Sequence, residues 1–262
     1  HKKKEFENFI ESNMQQALDS QCFEMVLQPK MDLKTNSVIA AEALVRWRLE
    51  DGTYLPPSSF VDIFEKNLFC SKLDFYMLKK AIQQIRKWID MGMNPVNISV
   101  NQSKIVFYHE NYISEIKSLL EEYNVSGSYI TLEVLESTVI EDIDMFNSIL
   151  TEVKKLGFSV SLDDFGSGYS SLNVLSKLQI DELKIDRIFL HTKSEVDNQR
   201  TKWILESIID IAKKSQILVV VEGVESKQDD LFIKNLGADI GQGYFYGRPL
   251  SISAFNDLIE TK

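Results

Sequence analysis

With 262 residues, a formal net charge of −10, 44% hydrophobic and 26% charged residues, the chain has the size and balance of one large α/β domain rather than of a fibrous or disordered protein. The acidic balance, with a pI near 4.9, argues against a binder of nucleic-acid polymers, which carries a basic face. No apolar run approaches the roughly 18 residues of a membrane span, so no membrane contact is expected of this domain. Cys22 and Cys70 lack metal-ligand spacing, and His1, His109 and His191 are scattered. Zinc chemistry and Ser/His hydrolysis are thereby disfavoured, and a reducing, cytoplasmic compartment is expected, whether or not a parent chain is anchored in a membrane. The opening His1-Lys2-Lys3-Lys4, without Met or an apolar leader, reads as a fragment of something longer.

Phe6, Ile10, Met14 and Ala17 share one helical stripe, so residues 1–20 are expected to form a helix or linker ahead of a domain spanning 21–262. Runs rich in β-branched residues then predict strands at 23–27, 37–43, 96–100, 130–135, 158–162, 183–185, 217–221 and 240–244. Amphipathic segments separate them, such as the stripe Leu73, Met77, Leu78, Ala81, Ile85, Trp88 and Ile89. Gly157 and Gly237 fall where helix ends want a left-handed residue, and Ser226 with Asp229 reads as a capping box. Strand–helix alternation of this kind predicts a (β/α)8 TIM-like barrel. About nine residues around Lys34-Thr35-Asn36 separate the first two strands, too few for a crossover helix, so the first strand is expected to be antiparallel.

Acids and amides recur at the downstream ends of these strands: Glu42, Glu133, Asp163, Asp164, Glu222 and Gln242. Alternation puts Asn97, Ser99 and Asn101 on one face of their strand. Taken singly, an Asp-Asp pair is more often a solvated turn. Five acids around one barrel mouth, however, repel by about 3 kcal/mol per pair at 5 Å and an effective dielectric near 20. Two divalent cations and Lys184, the only basic residue noted among these strand positions, would balance them. An oxygen-only donor set without Cys or His selects Mg²⁺ or Mn²⁺. Such a pair of ions suits in-line water attack on a phosphodiester. The glycines and serines of 163–172 suggest a mobile loop over that site.

These residues resemble the EAL-domain family of cyclic di-GMP phosphodiesterases. The signature Glu42-Ala43-Leu44 is accompanied, in the family's order, by Gln28-Pro29, Asn97-Ile98-Ser99, Glu133 with Glu136, the Asp163–Leu172 loop, Lys184-Ile185-Asp186, Glu222-Gly223-Val224-Glu225 and Gln242-Gly243-Tyr244. The resemblance implies that Glu42, Asn97, Glu133 and Asp163 bind one metal, and Asp163, Asp164 and Glu222 a second. Lys184 would position the attacking water, and Glu222 would be either a ligand only or a ligand that also acts as general base. Gln28, Arg46 and Gln242 would meet the substrate, and Glu136 would anchor the loop. The implied reaction converts cyclic di-GMP to linear pGpG, in a homodimer, with a sensory or GGDEF domain upstream in the parent protein. Leu135 and Ser167 stand where many members carry Thr, which bears on rate rather than on reaction type. The competing expectation is a receptor that holds cyclic di-GMP without cutting it.

Overall fold

A computed structural model describes residues 2–139, 142–166, 172–190 and 195–260. Residues 167–171 of the expected loop, together with His1 and His191, lie outside the described residues. Among the described residues nine strands form one sheet: β1 (Phe23–Asp32), β2 (Ser37–Arg48), β3 (Tyr54–Leu55), β4 (Asn97–Asn101), β5 (Ile130–Leu135), β6 (Ser159–Phe165), β7 (Glu182–Ile185), β8 (Leu218–Val221) and β9 (Ile240–Gln242). The order β1-β9-β8-β7-β6-β5-β4-β2 closes through β1–β2 pairing, and β3 is a short hairpin addition to β2. Eight strands thus make a closed barrel, with β1 antiparallel to both neighbours and the rest of the ring parallel. This is the expected α/β architecture with its reversed first strand.

The first hairpin is tighter than the sequence suggested. β1 continues to Asp32, so only residues 33–36 connect it to β2, with Asn36 in the left-handed region at φ 54°. The expected connector 28–36 is therefore mostly strand. Pro29 lies within this strand, and the barrel accommodates it. Leu27 N–H bonds Leu250 O, so by alternation the nitrogen of Pro29 faces that same side. There the β9 ladder starts only at Lys30, and a missing donor costs no ladder bond.

The strands alternate with unusual polarity. Ile98, Val100, Leu132, Val134, Val160, Leu162, Leu183, Ile185, Val219 and Val221 are buried beneath the surrounding helices, which makes the main core a shell outside the barrel. The intervening positions turn inward and are mostly polar, with Val220 a buried apolar exception. The helix Lys2–Asp19 buries Ile10 and Ala17, and its Phe9 stacks on Trp47 at 6.3 Å. Trp47 in turn packs with Phe23, Phe60 and Phe64. Helix ends follow local chemistry: Ser226 and Asp229 form the capping box, and Gly237 closes that helix at φ 82°.

Gly243 ends β9 in a backbone conformation at φ 154° and packs so closely on Val224 that an added Cβ would collide with the Val224 backbone. Gly243→Ala should therefore destabilise the fold by about 2–3 kcal/mol, read as a lower urea unfolding midpoint. An unchanged midpoint would show that this contact relaxes freely.

Candidate active site

The carboxyl ends of the parallel strands bring the predicted acids together. Glu42 (β2), Glu133 (β5), Asp163 (β6) and Glu222, just past β8, converge on Lys184 of β7. Its Nζ lies 3.3 Å from Glu42 Oε2, 2.8 Å from Glu133 Oε2, 3.2 Å from Asp163 Oδ1 and 2.9 Å from Glu222 Oε1. Two acidic triads result, Glu42–Glu133–Asp163 and Asp163–Asp164–Glu222, each with its oxygens within 4.8 Å of one another and with Asp163 common to both.

Adjacent residues of a strand normally point to opposite faces, so two neighbouring aspartates should not share a site. Here the β6–β7 register shifts between Leu162 and Phe165, and Asp164 adopts the left-handed region at φ 56°. This irregularity breaks the alternation and aims both carboxylates at the mouth. Asp is among the few residues that tolerate that conformation, and Asp164 N–H caps Asp163 Oδ1 at 2.8 Å.

Gln242 on β9 donates through Nε2 to Glu42 Oε2 at 2.6 Å and to Gln28 Oε1 at 3.3 Å, so these two glutamines join the site. Arg46 stands four residues beyond Glu42 on the same face of β2, at the rim, donating to Val45 O. Glu136 is buried at the start of the short helix after β5, while residues 167–171 of the loop assigned to it lie outside the described residues.

One expected ligand is elsewhere. Asn97 opens β4, its Nδ2 donating to Ser128 O and its Oδ1 accepting from Thr131 Oγ1. Four residues of strand, about 13 Å, separate it from Asn101, whose Nδ2 reaches Glu42 Oε1 at 3.1 Å. Both lie on the inward face, but β4 pairs Asn97 with Ala40 and Asn101 with Glu133; depth along the barrel selects Asn101.

Two further charged residues were missed. Lys30 is fully buried inside the barrel, bonded to Glu133, Ser99 and Glu182. Lys184 is therefore not the only inward lysine. The signal for Glu182 was present, since it precedes Lys184 by one strand period. Because Lys30 and Glu182 enter as a pair of opposite charges, the interior still lacks the charge of two divalent cations.

The electrostatics show the same deficit. Burial raises the Glu42 and Asp163 carboxyls above their ordinary range, and their acidic neighbours add to this against the pull of Lys184. Burial and Asp186 do so for Asp164. Glu222 is pushed up to about 8, by burial first and then by Asp163 and Glu42, despite Lys184. Glu133 alone goes down, to about 2, because Lys184 and Lys30 together overcome the effect of its burial. The donor set is thus oxygen only and short of positive charge, which fits hard divalent cations.

A cleft adjoins the cluster on either side, each of about 380 Å³. One is largely apolar, with walls from Leu44, Pro57, Val61 and Leu135 and with Asn101 and Asp74 at its polar end. Asp74 Oδ2 accepts from Ser103 N and Oγ, and desolvation pushes its carboxyl up to about 7. The other is polar and is lined by Gln28, Asp164, Arg187, Glu222, Gln242 and Tyr244. Arg248 lies over the Tyr244 ring at 4.2 Å.

Fold and site together define an α/β-barrel protein with an acidic, cation-seeking centre at the carboxyl ends of its strands. The EAL domain family model matches residues 11–249, and the chain belongs to that family. Among its relatives, it is 33% identical over 250 residues to the cyclic di-GMP phosphodiesterase NbdA of Pseudomonas aeruginosa, covering 95% of this chain and 32% of NbdA. It is 32% identical over 238 residues to MucR of the same organism, named a bifunctional diguanylate cyclase/cyclic di-GMP phosphodiesterase, covering 91% of this chain and 34% of MucR. The chain thus spans about a third of the length of these relatives. The solved PaMucR phosphodiesterase, in complex with c-di-GMP, superposes with a TM-score of 0.86 at 32% identity, covering 94% of this chain and 99% of that one.

The raised Glu222 carboxyl makes a pH prediction. Between about 4.5, its ordinary value, and about 8, folded Glu222 keeps a proton that the unfolded chain has released, so its contribution to stability is full below pH 4.5 and lost as pH rises through 8. In EDTA the melting temperature should fall across that window, and Glu222→Gln should flatten the fall. An equal slope in the variant would remove Glu222 as its source.

Proposed function

We propose that this chain is a divalent-metal-dependent phosphodiesterase that hydrolyses one phosphodiester of cyclic di-GMP to give linear pGpG. The observation that carries the proposal is the pair of oxygen-only triads sharing Asp163, set between two clefts that match a ligand with two bases. Glu42, Glu133 and Asp163, with the amide oxygen of Asn101, would hold one Mg²⁺ or Mn²⁺, and Asp163, Asp164 and Glu222 the other. When bound, the cations would polarise the phosphodiester and acidify the attacking water. Lys184 orients that water as a donor rather than a base, because the surrounding carboxylates more than offset its burial and hold its ammonium well above the usual range. Glu222, facing the polar cleft, would be ionised by the bound cations and so free to take the proton released by the water.

The apolar cleft suits one guanine. Its walls cover the faces of the base, and Asp74 offers a carboxylate to the paired N–H donors of the base edge. Tyr244, backed by Arg248, presents a ring to the second guanine. Arg46 at the rim suits a phosphate, which a guanidinium grips through paired donors.

Timed incubation with cyclic di-GMP, with and without Mg²⁺ or Mn²⁺, should yield pGpG only with metal; binding without turnover in either metal would replace the proposal with a receptor role. Glu42→Ala should lower kcat by at least about a hundredfold in a folded protein, and full activity at saturating Mg²⁺ would remove its ligand role. Asp74→Asn should raise KM about tenfold with a smaller change in kcat; an unaltered KM would move the base out of that cleft.

A further inference from the structure

Beneath the carboxylates lies a second charged layer. Lys30 Nζ, without solvent exposure, donates to Ser99 Oγ at 2.7 Å, Glu133 Oε1 at 2.8 Å and Glu182 Oε1 at 3.1 Å. Ser161 Oγ donates to the same Glu182 oxygen at 2.9 Å. These residues come from β1, β4, β5, β6 and β7, so the layer crosses the barrel rather than following one seam. Branched apolar side chains commonly fill such an interior, and a buried ion pair is often replaceable by them without loss of stability. Stability alone therefore does not call for Lys30.

What the layer does geometrically is hold Glu133 at both ends, with Lys30 on Oε1 and Lys184 on Oε2. Lys184 is shared among four carboxylates and so cannot by itself orient any one of them. Among the described residues, Lys30 pairs with Glu133 and Glu182 and not with Glu42, Asp163, Asp164 or Glu222. Glu182 in turn lies too deep to enter either acidic triad.

We propose that Lys30 is a positioning residue for the metal centre. By gripping Glu133 Oε1 it fixes the plane of that carboxylate, so that Oε2 stays turned toward Glu42 and Asp163. Glu182 and Ser99 hold the ammonium in place. The inference rests on Glu133 being a metal donor, and the test separates the two.

Mn²⁺ titrations followed by electron paramagnetic resonance would be run on the parent chain, Glu133→Gln, Lys30→Met, Lys30→Met/Glu182→Met and Ser99→Ala, with melting temperatures alongside. Lys30→Met should weaken Mn²⁺ binding about tenfold to a hundredfold. The double variant, which no longer strands a buried carboxylate, should regain melting temperature but not Mn²⁺ affinity. Ser99→Ala, which keeps every charge, should weaken binding about threefold. A double variant that binds Mn²⁺ as the parent does would make the pair purely structural and overturn the proposal. Failure of the double variant to fold, joined to parental affinity in Ser99→Ala, would do the same. A parent that does not bind Mn²⁺, or a Glu133→Gln variant that binds it as tightly, would instead remove the metal-donor reading, and the Lys30 role with it.

Discussion

One ammonium group, Lys184 Nζ, sits within 3.3 Å of oxygens from four carboxylates carried on or just past four different strands, and most of the barrel's organisation serves that contact. A single positive charge cannot satisfy four negative ones. The shortfall shows in the site's titration: Glu42, Asp163 and Glu222 resist ionisation, while Glu133, with a second lysine on its other oxygen, ionises readily. Holding such a cluster requires an interior that is polar where most barrels are oily, and the apolar burial that stabilises the domain is displaced to the outer shell between strands and helices. Binding chemistry and folding energy therefore occupy opposite faces of the same strands, which lets the inner face carry unfavourable charge without loosening the outer core.

The two triads are linked by backbone rather than by side-chain packing. Asp163 and Asp164 are consecutive, and the left-handed turn at Asp164 aims them together. Their separation is set by covalent geometry, whereas Glu42, Glu133 and Glu222 come from separate strands and depend on barrel registry. A non-glycine residue in that conformation carries a local cost of about 1–3 kcal/mol, which the flanking β6 pairing offsets.

Much of this was legible in the chain. Alternation and length gave the eight-strand ring, and the short first connection gave the reversed first strand. Acids following apolar runs gave five of the site's carboxylates, because a carboxylate after Leu-Val-Val-Val has few places to go. What escaped depended on non-local registry. Asn97 and Asn101 share a face, and local pattern cannot tell which lies at the depth of Glu42; the pairing of β4 with β2 and β5 decides it. Lys30 was hidden for another reason, since Pro29 reads locally as the end of a strand, and only the gap between the Leu250 bridge and the β9 ladder makes it admissible. Asp74 gave no local signal, its role arising where the helix Cys70–Asp90 meets the residues after β4.

The reversed first strand has a further consequence for how the molecule can be handled. Phe23 pairs with Trp47, beyond Glu42 on β2, so the strand begins at the rim that holds the acidic cluster and descends away from it, where a parallel first strand would climb. The helix Lys2–Asp19 therefore packs beside the mouth, and a tag or fusion ahead of it would share solvent with arriving ligand. The turn at residues 33–36 stands at the far end of the barrel. An inserted reporter there would leave the rim unobstructed, making that hairpin the better attachment point for a probe meant to watch the site without crowding it.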